Sequence, residues 1–309
     1  MLGAVSGLEG DASPRFSVVI CTYNRADALP GSAGSVLAQE FEDFELIIVD
    51  DGSTDDTEAV VSSLIEADAR VRYVRRENGG LSRARNSGIE AARGRFVIFL
   101  DDDDRSEPEW LGVLDQHVGD ALVVSCAASV SVQGNPHAVM RPKPMGAPFA
   151  EYTGLFVAGS FAVERELLSE VGGFDEDLMC SHQTELALRL LPECRRRDLP
   201  VTSVDRPLIT VHMRSASERE RNEPLRLATC TERILTRHRD QIHRSAAMYS
   251  DYCSVIGVCR ARLGELPAAR RWFWSAVKRD PRRVRYLARL AVACVPPLAR
   301  RRWPAPARA

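Results

Sequence analysis

The feature that most constrains this chain is a change of hydrophobic period that repeats through its first hundred residues. Phe16–Cys21, Phe44–Val49, Val71–Val74 and Phe96–Leu100 are short apolar runs rich in β-branched residues. Between them, Ala26–Gln39, Thr57–Ala67 and Leu81–Ala92 space their apolar residues at helical intervals, and Gly94 stops the last of these. Pro30 and Gly31 interrupt the first helix early, and Thr54 or Asp55 caps the second. Strands that alternate with helices of this length predict βαβ units and a parallel sheet with helices on its faces. Such a sheet binds ligands outside the carboxyl ends of its strands.

Three polar segments fall at those ends. Cys21-Thr22-Tyr23-Asn24 follows the first strand, Asp50–Asp55 the second and Asp101–Asp104 the fourth. A fourth segment, Asn78-Gly79-Gly80-Leu81 through Asn86, opens the third helix. Each alone is bland: Asp50-Asp51-Gly52-Ser53 is an ordinary turn, and Asp101–Asp104 would serve as a solvated cap for a helix near Pro108. Their joint placement on one rim is not bland. Two acidic loops that converge repel each other unless a cation intervenes. Oxygen ligands without a Cys/His pattern favour magnesium or manganese, held by carboxylates and completed by phosphates and water. Tyr23 offers a face for a base, and Gly79-Gly80 lets a ligand approach the backbone closely. Metal, diphosphate and base together describe a nucleotide ligand. The chain lacks a dinucleotide fingerprint and a P-loop lysine, which weighs against nicotinamide enzymes and P-loop NTPases.

The middle of the chain is less regular. Ala121–Cys126, Ser129–Val132, Leu155–Val163, Val201–Val204 and Leu208–Met213 read as strands, with Gln133–Pro148 as a Pro- and Gly-rich loop. Arg165–Val171 and Thr184–Leu191 read as helices, the second ended by Pro192. From about Asn222 the pattern is helical. Tyr249–Leu263 and Pro267–Arg279, joined by Gly264-Glu265-Leu266, resemble a single tetratricopeptide-like hairpin, read as an appendage.

Charge divides the same way. Residues 1–120 hold 24 Asp/Glu against 11 Lys/Arg, whereas residues 260–309 hold 14 Lys/Arg against 2 Asp/Glu. The acidic front suits a cation site. The basic tail, with Trp272, Trp274 and Trp303, suits either an acidic membrane surface or packing on the chain's own acidic half. The eight cysteines show no CxxC pair and several lie in apolar runs, as expected of reduced thiols in the cytoplasm. Met1–Pro14 has no basic start and reads as a disordered lead-in. Leu290–Leu298 is too short to cross a bilayer and contains Pro296 and Pro297. The expected location is cytoplasmic, with peripheral contact on the inner face of the membrane.

The run Phe16–Arg25, with Leu46–Ser53, Asn78–Gly88 and Gly94–Asp104, resembles the family 2 glycosyltransferases. The similarity spans roughly residues 16–213 and is strongest up to Asp104. It implies the GT-A fold, a Rossmann-like, mainly parallel sheet flanked by helices, here over 15–221 with a basic helical region at 222–309. It also implies a nucleotide-diphospho-sugar donor (UDP-, dTDP- or GDP-linked), a divalent cation (Mn2+ or Mg2+) and inversion at the anomeric carbon. Thr22, Tyr23, Asn24 and Arg25 match the donor loop, with Tyr23 stacking on the base. Asp51 matches the carboxylate that bonds the base, with Asp50 beside it. Gly80 and Arg85 match the segment near the phosphates. Asp101-x-Asp103 matches the DxD motif, with Asp103 on the metal and Asp101 or Asp102 on the ribose. His212 occupies a position where relatives carry a histidine close to the metal.

The second half departs from the pattern. Gly172–Glu176 matches the acceptor-side motif, but His182-Gln183-Thr184-Glu185 stands where the family has its catalytic acid, and the base position itself is Gln183. Three readings stay open: His182 is the base, Asp175 or Glu185 reaches the acceptor hydroxyl, or the chain is a weak or inactive transferase. The acceptor would be a polysaccharide, a lipid-linked glycan or a small molecule, and nucleic acid is not expected. A sugar nucleotidyltransferase is disfavoured because no Gly-rich loop with Arg and Lys follows the first strand. A non-catalytic nucleotide-sugar-binding protein is the alternative from another class.

Overall fold

A computed structural model describes residues 13–213 and 223–305. The early periodicity becomes three parallel βαβ steps: β1 (Phe16–Thr22), α1 (Leu29–Leu37), β2 (Phe44–Asp50), α2 (Thr57–Ala67), β3 (Val71–Arg75), α3 (Leu81–Ala91) and β4 (Phe96–Asp101). The first helix is shorter than its pattern because it starts where Pro30 falls in the opening turn, a place that needs no N–H. The register brings the loops together. Thr22 lies opposite Asp50, and Cys21 opposite Asp101, so three strands end on one rim.

The rest of the described chain adds β5 (Arg105–Ser106), α4 (Trp110–Val118), β6 (Val123–Val132), β7 (Asn135–Met140), β8 (Lys143–Pro144), β9 (Thr153–Gly154), β10 (Phe161–Glu164), α5 (Arg165–Glu170), α6 (His182–Arg196) and β11 (Val201–Met213). The main sheet runs β3-β2-β1-β4-β10-β6-β11-β5, with β7 paired to β6. It is mixed, since β10 is antiparallel to both neighbours.

Several expected boundaries shift. Ala121–Cys126 and Ser129–Val132 fuse into β6, and Val201–Val204 and Leu208–Met213 into β11. The latter takes up Pro207 through register shifts on either side, as a strand must when a ladder donor is missing. Leu155–Val163 is not one strand. Gly159 turns the chain at φ +74, where a Cβ would meet Leu100 and Ile209 at 2.8 and 2.9 Å. The presumed loop Gln133–Pro148 contains β7 and β8. Helix α6 runs on through Pro192 because Leu190, Leu191 and Cys194 are buried around it.

Both faces of the sheet are covered, as unbroken apolar strands require. Val18, Ile20, Leu46, Ile48 and Ile98 point to α1, α2 and α4. Val19, Ile47, Val97 and Phe99 point to α3, α5 and α6. That second layer is completed by α7 (Glu223–Arg237), α8 (Arg239–His243) and α9 (Ala246–Arg262), whose Ile234, Ile242, Cys253 and Ile256 join the same cluster. The first helices of the basic region are thus part of the sheet's core. The lead-in to residue 12 and the expected boundary at 221/222 lie outside the described residues.

Helix α9 begins under a Ser245 cap, whose Oγ accepts from Met248 N at 3.2 Å. It forms the expected hairpin with α10 (Leu266–Arg279), and Gly257 makes the close approach: a Cβ there would sit 2.6 Å from the Phe273 ring. Two short helices follow, α11 (Val284–Cys294) and α12 (Pro296–Arg302). Trp303 is buried and stacked on Phe273 at 5.4 Å, and Trp272 is half-buried. Of the three tryptophans offered for a membrane surface, Trp274 alone is exposed. Among the described residues no helix is long and apolar enough to cross a membrane.

Candidate active site

The rim of β1, β2 and β4 encloses a cavity of about 820 Å3, lined by Thr22, Tyr23, Arg25, Asp51, Gly80 and Asp101–Asp103 among others. Asp51 builds its floor. Its Oδ1 accepts from Gly79 N at 3.0 Å and Arg76 Nη1 at 2.8 Å, and its Oδ2 from Gly80 N at 2.7 Å. Gly80 holds φ +89, which a side chain would resist. Tyr23 is 47% exposed at the mouth, as a stacking face must be.

Two of the expected donor residues make contacts within and between the loops. Asp50 is fully buried, accepting from Ser53 N at 2.7 Å and Tyr73 Oη at 2.6 Å, so it shapes its loop. Asn24 adopts φ +51, and its Oδ1 accepts from Thr54 N at 2.7 Å, so it ties the first loop to the second. Neither lines the cavity.

The acidic loop is crowded with charge. Thr22 Oγ1 donates to Asp102 at 2.9 Å, Arg25 reaches Asp103 at 3.1 Å, and Arg85 reaches Asp101 at 3.0 Å. Arg85 itself is buried between Phe99 and Phe174, its guanidinium 5.9 and 5.2 Å from the two rings. Burial, then repulsion from neighbouring carboxylates, pushes Asp104 up to about 8. Burial likewise pushes Asp102 up to about 6, against the pull of Arg25. Among the described residues, Arg25 and Arg85 alone make ion pairs with this four-carboxylate loop. Asp101 and Asp103 are the more accessible carboxylates at 44% and 30%, and among the described residues no cluster of three or more metal-ligating side chains forms, so a cation here would need phosphate and water to complete its shell.

His212 does not join them. Its backbone N donates to Asp104 at 2.8 Å, but it lines a neighbouring groove with Ser131, His137 and Thr210. The extended β11 carries it along the edge of β6, so it is not among the residues lining the acidic cavity.

On the acceptor side, Asn86 grips Phe174 through Oδ1 to its N at 2.7 Å and Nδ2 to its O at 3.0 Å. Gly173 has φ +62 and leaves no room for a Cβ, which would lie 2.5 Å from Asn86 Oδ1. Asp175 is ion-paired with Arg233 and with Arg237 at 2.7 Å. Glu185 is wholly buried. Burial would raise its pKa, but hydrogen bonds from His238 and Arg189 hold it near 2. Both carboxylates are thus engaged by basic side chains of α6 and of the helical region that follows. His182 follows Ser181, a left-handed residue, and donates from Nε2 to Leu178 O at 3.0 Å, which leaves Nδ1 as the ring's acceptor. Burial, then the charges of Arg85 and Arg226, drive it down to about 4. Gln183 beside it is half-buried.

The model of the family described as "Glycosyl transferase family 2" matches residues 17–174. The chain belongs to glycosyl transferase family 2. A GalNAc(5)-diNAcBac-PP-undecaprenol beta-1,3-glucosyltransferase of Campylobacter jejuni is 42% identical over 93 residues, 29% of this chain and 30% of that protein. The chain thus spans under a third of this relative's length. Among solved structures, TarS 1–349 of S. aureus superposes with a TM-score of 0.60 at 18% identity, over 92% of this chain and 88% of that one. Mannosyltransferase PcManGT from Pyrobaculum calidifontis, in complex with GDP-Man and Mn2+, gives 0.57 at 18%, over 95% and 88%. At such identities the likeness establishes the fold, and it is the expected GT-A fold with its helical extension.

One residue of this family 2 chain escaped the motifs. Arg226, on α7, also lines the cavity, and its guanidinium donates to Met179 O. No sequence spacing links it to the acidic loop. The only available signal was its place in an amphipathic helix next to the transferase core.

Proposed function

We propose that the chain transfers a sugar from a nucleotide-diphospho-sugar to an acceptor hydroxyl with inversion. The observation that carries this is the single cavity in which Tyr23, Asp51 and Asp101–Asp103 meet Arg25 and Arg226, with Arg85 behind Asp101. Tyr23 and Thr22 take the base with Asp51, and Asp101 or Asp102 takes the ribose. Gly80 admits the diphosphate, whose charge Arg25, Arg85 and Arg226 balance. Asp103 and Asp101 would hold Mn2+ or Mg2+. When bound, the cation acts as a Lewis acid on the leaving diphosphate. Solved neighbours in complex with UDP-GlcNAc and with GDP-Man and Mn2+ support a donor of this class.

For the acceptor proton, His182 is the candidate base beside the family position, its Nε2 held by the Leu178 carbonyl so that Nδ1 is the ring's acceptor. The name of the Campylobacter relative supports a lipid-linked glycan as acceptor. A thermal-shift screen of nucleotide diphosphates and their sugars, with and without manganese, tests the donor site. A cognate ligand at about 100 times its Kd should add about 2.7 kcal/mol of stability. If no nucleotide diphosphate moves the midpoint, the reading fails.

Gln183 and the low basicity of His182 favour one second reading, a nucleotide-sugar-binding protein without transfer. Donor binding with no manganese-dependent release of nucleotide diphosphate under any acceptor would support it.

A further inference from the structure

Helix α11 carries apolar residues on two sides, Leu290, Val292 and Ala293 packed inward and a second set facing solvent. Tyr286 and Ala293 are buried, with Tyr286 Oη donating to Asp251 at 2.8 Å and Arg289 Nη1 to Ser254 Oγ at 2.5 Å. Its apolar residues Val284, Leu287, Ala288 and Ala291 recur at the intervals of a single helical stripe, and that stripe faces solvent. Val284 is 75% exposed and Leu287 54%. The stripe continues into Val295, 44% exposed, and Leu298 on α12, 51% exposed.

Arginines rim this face. Arg282 precedes it, and Arg300, Arg301 and Arg302 follow Leu298, all four exposed and without a carboxylate partner among the described residues. A second copy of the chain on the same patch would set these like charges against each other. The surrounding segment, with 14 Lys/Arg against 2 Asp/Glu in residues 260–309, repeats that bias. An apolar stripe between cationic side chains matches the boundary between acyl chains and anionic headgroups, where such helices lie flat.

We propose that the α11–α12 face docks on the anionic surface of a lipid bilayer. This deepens the reading of a lipid-linked acceptor, but it stands on the helical face and not on the transfer chemistry. Thr22–Asp103 and the donor cavity play no part in it.

Flotation of the full chain with vesicles tests the docking. Binding is expected to phosphatidylcholine containing about 30% phosphatidylglycerol and not to phosphatidylcholine alone. Raising salt from about 0.1 M to about 0.5 M should weaken it, because the headgroup attraction is screened. Leu287→Asp with Leu298→Asp, and separately Arg300→Glu with Arg301→Glu, should each lower the partition coefficient about ten-fold or more. All four positions are exposed, so thermal midpoint and nucleotide-diphosphate binding should not move. An environment-sensitive dye on exposed Cys294 should shift to shorter wavelength on the anionic vesicles. No binding to anionic vesicles, binding unaffected by both variant pairs, or a concentration-dependent dimer abolished by the leucine variants would each overturn the proposal. Donor binding retained in that event would leave the proposed transferase function standing.

Discussion

His182 carries the chemical question at the scale of the residue. A neutral imidazole is a usable base only if its free nitrogen faces the substrate, and the Leu178 carbonyl fixes the proton on Nε2. With its pKa near 4, His182 stays uncharged through the neutral range, so it is always free to accept and never strongly basic. The folded pKa lies below the ordinary value of 6.5, so the unfolded chain binds this proton more readily. His182 therefore takes stability away as pH falls from 6.5 towards 4, and leaves it untouched above. If Nδ1 is the base, kcat should be flat from pH 5 upward, and His182→Ala should lose about 100-fold or more at saturating donor. A full rate in that variant removes His182 from the mechanism. Glu185 shows what residue type alone leaves out. The motif makes it a catalytic candidate, yet the structure spends both of its oxygens on Arg189 and His238.

Among elements, the parallel half was legible and the mixed half was not. Strands β1, β2 and β3 pair in sequence order, β4 returns beside β1, and their apolar runs are long enough to read. By contrast β10 has four residues and sits antiparallel between β4 and β6, a pairing no local period announces. Pro192 and Pro207 also misled, since packing overrode the local rule at both. The link between halves is made by Asn86, which ends one donor-side motif and holds Phe174 of the acceptor-side motif by two backbone hydrogen bonds. Removing a partner from part-buried backbone groups costs about 1–3 kcal/mol. Asn86→Ala should therefore lower the thermal midpoint. It should also cut kcat more than donor affinity, because Phe174 packs on Phe99 at 5.1 Å and helps to seat Arg85. Equal losses in donor affinity and kcat would show that Asn86 only stabilises the fold.

For the whole molecule, the basic helical region and the transferase sheet are one structure. Ile234, Ile242 and Ile256 complete a face of the sheet, and Arg226 from the same region lines the acidic cavity beside Asp101–Asp103. The charge asymmetry in sequence did not point to Arg226, which lies before the basic end at 260–309, and the ion pairs of that end run to Glu232, Asp251, Glu265 and Asp280. The place of Arg226 depends on how α7 is laid across α6, which spacing does not encode. Arg226 is exposed and bonds the Met179 carbonyl, so its loss should leave the ligand-free fold intact. Its charge is then available to a bound diphosphate, where one charge-assisted contact is worth about 1.5–3 kcal/mol. Arg226→Ala should raise the donor KM about ten-fold with an unchanged thermal midpoint, and Arg226→Lys should recover part of it, since the charge returns without the fork. The effect should shrink at high salt, because the site opens to solvent. If Arg226→Ala binds nucleotide diphosphate as tightly as the parent chain, the helical region supports the cavity only by packing.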